Sequence, residues 1–358
     1  MFNHISQTQK NRTESYFYEL RRFHNSIKRQ LYDTYTKNID NLLEIAAGKG
    51  GDLNKWSSNK IKNVVGYDID NASIEEGIRR VKATKGYVPK VELNVLDLSR
   101  NVIKPSVPFD VVSAMFCFHY FFESKETFNT ILSSIKSNLK PGGIFMGTMF
   151  DGESLLWLLG NESVFELSDR SEVRFRLEFF NRNKSAFGNK VAVFMKDTVL
   201  DSPMNEYIVN FGSFVELMKE NGFELIETKM FNEFNSNAYK LNNVSKKVSF
   251  LNRTFVFRKL DVKLDVKLPS ICKEENEYLV ECGWTSNYKE ILLEKYKESL
   301  TNKINKSKNE KARLDYKYIR ENLRDDISEV LSDKEVSKSV KEYISKIHEM
   351  YKEDLRKN

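Results

Sequence analysis

LLEIAAGKGGDLNKW, Leu42 to Trp56, is an apolar run that breaks into a glycine-rich turn and then into a polar segment. Leu42, Leu43, Ile45 and Ala46 surround Glu44, Gly48, Gly50 and Gly51 follow, and Asp52 opens the segment that ends in Trp56. The pattern reads as strand, turn and helix. Glycines at this spacing let backbone approach a ligand and supply positive φ where a side chain would clash. Such a turn is common between β and α elements whatever they bind, so its weight depends on what surrounds it.

On either side the same alternation continues. Residues 13–37 place aromatic and aliphatic side chains at helical intervals among charges, predicting one or two amphipathic helices packed over the turn. After it come strand 63–69, a helix from Ala72 to Ala83, strands 90–97 and 109–116, helix 125–139 ending at Lys140-Pro141-Gly142-Gly143, and strand 144–150. Strands alternating with helices predict an α/β fold: a doubly wound, Rossmann-like mixed sheet with helices on both faces and ligands at the carboxyl ends of the strands. VRFRLEFF and KVAVFMK read as antiparallel strands, PMNEYIVNFGSFVELMKENGF as strand or loop into helix, and RTFVFRK as a last strand. The expected organisation is an N-terminal helical segment (1–40), a domain over 41–259, a linker or exposed strand over 260–287, and a charged helical extension over 288–358.

Of the 358 residues, 40% are hydrophobic and 12% aromatic, enough for a sizeable core. No run approaches the roughly 20 apolar residues that cross a bilayer, and the first residues lack a signal-peptide pattern. Cys117, Cys272 and Cys282 form no CxxC or Cys/His spacing, which points to buried thiols, a reducing (cytoplasmic) compartment and no structural metal. A net charge of +6 permits a polyanionic partner without requiring one.

Chemistry gathers at the strand ends. Asp68 ends the second strand about 20 residues after the turn, where a carboxylate accepts from the hydroxyls of an adenosine ribose. Asp97 ends the third, where an acid can accept from an adenine amino group. Either alone reads as a helix cap; in register with the turn they read as a nucleoside site. Asp52, directly after the glycines, would repel a pyrophosphate at the helix N-terminus, so a cationic, phosphate-free ligand such as S-adenosylmethionine fits better.

The fourth strand runs into FCFHYFFES (116–124), which resembles the FxxHYxFES signature of the mRNA cap guanine-N7 methyltransferases. LEIAAGKGGDLNKW is similar to that family's glycine motif, FHNSIK (23–28) to its FNNWIK segment and NEYIVNF (205–211) to its PEFLVxF segment. These matches, in order, cover residues from about 20 to 259. The forms TMFDGESLLWLL, EYIVNF and SFLNRTFVFRK look closer to the enzymes of large cytoplasmic DNA viruses, which implies a host-cytoplasm or virion setting. The resemblance implies a class I methyltransferase fold with S-adenosylmethionine held by Lys28, Gly48, Gly50, Asp52, Asp68 and Asp97, and with Phe116 lining the site. It implies Lys49 and Arg80 on the phosphates of a GpppN cap, His119, Tyr120 and Glu206 on the guanine, Phe150 beside it, and no metal. His24 and Phe150 stand where the family shows Asn and Pro, and the late aromatic near the guanine falls within Phe250–Phe255. The charged tail is open to a capping or transcription partner. The alternative from another class is a catalytically silent methyltransferase-fold scaffold; a small-molecule methyltransferase would leave Lys49, Arg80 and Glu206 without a task.

Overall fold

The sheet grows outward from the strand quoted first. In the computed structural model, which describes residues 15–104, 107–160, 162–180, 185–198, 200 and 202–260, β1 (Asn41–Ile45) lies between β2 (Asn63–Asp68) and β4 (Phe109–Met115), parallel to both. β3 (Lys90–Val95) adds beyond β2 and β5 (Leu139–Phe150) beyond β4. β11 (Asn252–Lys259) inserts antiparallel between β5 and β10 (Phe223–Met230), giving the order β10-β11-β5-β4-β1-β2-β3. Leu42, Leu43 and Ile45 of β1 and Val111, Val112 and Ala114 of β4 are buried, as strands covered on both faces must be. Because β1 leads to β2 in one direction and β4 to β5 in the other, a crevice opens at the carboxyl ends of β1 and β4.

The helices match their patterns closely. A single helix, α1 (Tyr18–Tyr35), occupies the N-terminal window and buries Leu20, Phe23, Ile27, Leu31 and Tyr32. α2 (Leu53–Ser58) follows the glycine turn, α3 (Asn71–Ala83) is capped by the Asp70 carboxylate accepting from the Ser73 N–H, and α4 (Lys125–Asn138) starts at a reciprocal Ser124–Thr127 cap. α5 (Gly152–Leu159), α6 (Phe211–Glu220) and α7 (Asn243–Ser249) complete the set among the described residues. Phe118 sits at the centre of the core, 5.0 Å from Phe145, 5.2 Å from Phe214 and 5.9 Å from Phe255 between ring centres.

Two expectations are corrected. Lys140–Gly143, expected as the turn ending a helix, lies inside β5: Leu139 pairs with Phe109 and Ile144 with Val111, so the four residues bulge out of the ladder. VRFRLEFF and KVAVFMK do not join the main sheet but form a second one with their neighbours, β6 (Val164–Asp169), β7 (Glu172–Phe179), β8 (Lys190–Met195) and β9 (Met204–Tyr207), whereas RTFVFRK lies in β11 of the main sheet. β6 and β10 carried no clear signal, because each lies at the end of its sheet, where one-sided burial blurs the alternation. The expected linker and helices after residue 260 lie outside the described residues.

Candidate active site

At the crevice the two central strands both end in a left-handed residue that is not glycine: Ala46 at φ 53° after β1 and Phe116 at φ 57° after β4. Such conformations cost of order 1–3 kcal/mol and persist where the surroundings hold them. Phe116 is held by its N–H donating to the carbonyl and to the hydroxyl of Thr148 on β5. Gly48 and Gly50 also have positive φ, 50° and 65°. Gly48 donates its N–H to Asp68 Oδ2 at 2.7 Å, tying the turn to the end of β2, while the open side of Gly50 faces Gly77 of α3 at 3.7 Å. Gly50 thus serves close packing of turn against helix.

Asp52 stands at the start of α2 without accepting from a backbone N–H of the helix. Its carboxylate is buried between Lys28 Nζ on Oδ2 and Lys55 Nζ on Oδ1, each at 2.6 Å. Burial pushes this carboxyl up, but the two ammonium groups outweigh it and the net direction is down. Lys55 also donates to the Asn25 side chain of α1 at 3.1 Å. Asp68 is half-buried, its Oδ1 accepting from the Asp70 N–H at 2.9 Å. Asp97 accepts from the Ser99 N–H at 3.0 Å and hydroxyl at 2.6 Å, so it does cap the turn after β3; its Oδ2 stands 3.5 Å from Arg100. Each carboxylate oxygen accepts more than one hydrogen bond, so both acids keep acceptor capacity toward the crevice. Lys28 and Lys55 are both committed to Asp52, so the Asp52 carboxylate is held by the protein itself. Asp68 and Asp97 are the two acids that remain open to an adenosyl ligand.

A second group of residues meets beside it. His119 and Tyr120 lie on the single turn Phe118–Glu123, and Glu206 on β9 of the small sheet. Glu206 Oε2 stands 3.4 Å from His119 Nε2, and the Tyr120 hydroxyl donates to Glu206 Oε1 at 3.4 Å. His119 is 3% and Glu206 4% exposed, yet among the described residues neither ring nitrogen of His119 nor Glu206 Oε2 has a hydrogen-bond partner. Buried polar atoms are nearly always satisfied, so His119 and Glu206 keep hydrogen-bonding capacity that a ligand could use. Burial and the Glu206 charge push the Tyr120 hydroxyl up, keeping it a donor. Phe150, at the end of β5, is half-buried and opposite Asn252 of β11. Of the late aromatics, Phe255 is buried in the core against Phe145 and Phe214.

Arg80 Nη1 donates to the Lys49 carbonyl at 3.2 Å, bringing α3 against the glycine turn, while its Nε pairs with Glu76 at 2.7 Å. On the other wall His24 of α1 stacks on Phe116 at 5.2 Å and meets the edge of Phe231 at 5.0 Å. Its Nε2 lies 2.9 Å from Ser249 Oγ on α7. Burial and the Lys28 charge lower this imidazole to about 3, so it packs as a neutral ring.

Sequence reasoning passed over Glu44, Tyr32 and Ser113. Glu44 is 3% exposed, and Tyr32 (2.6 Å) and Ser113 (2.5 Å) both donate to its Oε2. The signal was a carboxylate inside an apolar strand; its partners come from α1 and β4, far away in sequence.

The sequence profile described as the mRNA (guanine-N(7))-methyltransferase domain matches residues 2–345. A protein of Saccharomyces cerevisiae named mRNA cap guanine-N(7) methyltransferase is 34% identical over 234 residues, 60% of this chain and 53% of that one. Its counterpart in Eremothecium gossypii is 33% identical over 241 residues, 63% and 56%, and the Arabidopsis thaliana protein named mRNA cap guanine-N(7) methyltransferase 1 is 30% identical over 250 residues, 64% and 65%. The chain spans about half the length of the first two relatives. The matched profile, together with the strand order around β1, makes this chain a member of the mRNA (guanine-N(7))-methyltransferase domain family, with the class I methyltransferase fold.

Proposed function

We propose that this chain transfers a methyl group from S-adenosylmethionine to N7 of the guanine of a GpppN-ended RNA. The observation that carries the reading is the orphaned buried pair of His119 and Glu206. Guanine presents N1–H and its exocyclic amino group side by side, and one carboxylate accepts both; beside them O6 accepts a hydrogen bond from an imidazole. Glu206 and His119 supply that acceptor and donor 3.4 Å apart, with Tyr120 against both. Gripping this edge leaves N7 facing away. Lys49 and Arg80 are the residues offered to the cap phosphates.

Asp68 and Asp97 would accept from the adenosyl ribose and base, and Lys28, at the rim of the Asp52 cluster, would meet the methionyl carboxylate. When bound, S-adenosylmethionine supplies an electrophilic methyl on a positively charged sulfur. N7 already carries a free lone pair, so no side chain has to remove a proton. The protein's part is alignment, worth about 7–11 kcal/mol when reacting atoms are held at near-attack distance, and the Glu206 charge, which stabilises the cation developing on guanine.

Glu206→Ala tests the reading. Methyl transfer from labelled S-adenosylmethionine to GpppA-capped RNA is expected to fall to background while calorimetry still shows S-adenosylhomocysteine binding. Near-normal transfer by the variant would mean that the guanine sits elsewhere. No transfer by the intact chain, with cofactor bound, would favour the silent scaffold. A protein partner docked through residues 288–358, a cytoplasmic setting and the likeness to enzymes of large DNA viruses belong to the same reading, and rest on sequence forms such as TMFDGESLLWLL and the charged tail.

A further inference from the structure

The glycine turn rests on two buried carboxylates, and α1 reaches both. Asn25, Lys28 and Tyr32 recur on one face of that helix: Asn25 touches Lys55, Lys28 touches Asp52, and Tyr32 touches Glu44. Ser113 of β4 donates to the same Glu44 oxygen as Tyr32, with the two hydroxyls 3.1 Å apart. The charged groups acting on Glu44 are therefore Lys28 of α1 and Asp52 at the start of α2, with Lys55 behind Asp52; the Tyr32 hydroxyl and the Cys117 thiol after β4 are neutral, both pushed up by burial. Two ammonium groups and the Asp52 carboxylate give the cluster a net charge of +1 when Glu44 carries a proton, and zero when it does not.

We infer that Glu44 is a proton-bearing positioning residue whose ionisation is linked to the charge of the bound cofactor, so that the sulfonium form expels the Glu44 proton and the thioether form does not. The inference rests on the S-adenosylmethionine reading above. Before methyl transfer the ligand's sulfur is a cation; afterwards, in S-adenosylhomocysteine, it is neutral. Glu44 stands two residues before the turn, gripped by Tyr32 and Ser113 and within reach of the Asp52 and Lys28 charges. Burial and the Asp52 charge raise Glu44 from 4.5 to about 7, where a small electrostatic bias moves its proton. By linkage, a ligand that favours the ionised form must release a proton on binding, and raising the pH must favour that ligand over the neutral one.

The test is calorimetry on the full chain at pH 7, in phosphate and in Tris buffer, with S-adenosylmethionine and S-adenosylhomocysteine as separate titrants. Comparing the two buffers counts the protons released. The expected result is roughly half a proton more for S-adenosylmethionine than for S-adenosylhomocysteine, the fraction that a group titrating near 7 still holds. Glu44→Gln should retain S-adenosylhomocysteine binding and abolish the difference. Tyr32→Phe keeps the carboxylate but removes one donor to it, and should move the difference to higher pH. Equal proton counts for the two ligands in the wild type, or a difference that survives in Glu44→Gln, would overturn the inference with the cofactor reading intact. No heat with either ligand would overturn the cofactor reading and the inference with it.

Discussion

Glu206, His119 and Tyr120 come from a strand and a tight turn 86 positions apart, and their meeting makes the binding pocket directional. Tyr120→Phe keeps the ring against His119 and removes the donor to Glu206. A long neutral-to-charged hydrogen bond is worth about 1 kcal/mol, so KM for capped RNA is expected to rise about five-fold with KM for S-adenosylmethionine unchanged; a rise in both would place Tyr120 elsewhere. Asp52 answers to a different logic, since its two lysine partners are nearly as buried as it is. Asp52→Ala leaves those ammonium groups facing each other without a counter-charge. Breaking a buried ion pair in this way costs about 3–5 kcal/mol, and thermal or urea unfolding should register a loss of that size.

The elements place these side chains by packing the strands without gaps. Gly147 of β5 is one position where this is absolute: a Cβ there would lie 2.2 Å from the Ala114 carbonyl of β4 and 2.4 Å from the Phe255 ring. Backbone cannot yield by that much, so Gly147→Ala is expected to abolish soluble, folded protein, judged by circular dichroism and cofactor binding. Ser124 works at the opposite, mild end of the scale. It closes the reciprocal cap of α4, directly after the turn that carries His119 and Tyr120. Ser124→Ala should cost about 1 kcal/mol and leave the cofactor's affinity unchanged, a pairing that unfolding and calorimetry together would check.

Across the whole molecule, the half-buried His24 and the buried Glu44 pull stability in opposite directions with pH. His24 is lowered from 6.5 to about 3, so the unfolded chain binds the extra proton and stability falls as pH drops below 6.5. Glu44 is raised from 4.5 to about 7, so the folded chain binds the extra proton and stability falls as pH rises from 4.5 toward 7. Between about 4.5 and 6.5 these two contributions offset each other. Relative to the wild type, His24→Asn should then gain stability steadily toward pH 4.5 and Glu44→Gln lose it, each at about 1.4 kcal/mol per pH unit at most; parallel difference profiles for the two variants would refute the assignment. The sequence by itself determined the parallel core strands, the glycine turn and the helices that flank them, because their apolar periods and caps are local, and its motifs supplied the candidate site residues. It did not determine that β6 to β9 form a separate sheet, that Lys140–Gly143 bulge within β5, or that Glu44 is gripped by Tyr32 and Ser113. Those depend on strand pairing and on contacts across 12 to 86 positions, which no local pattern encodes; only the packed chain brings Glu206 to His119 and Tyr120.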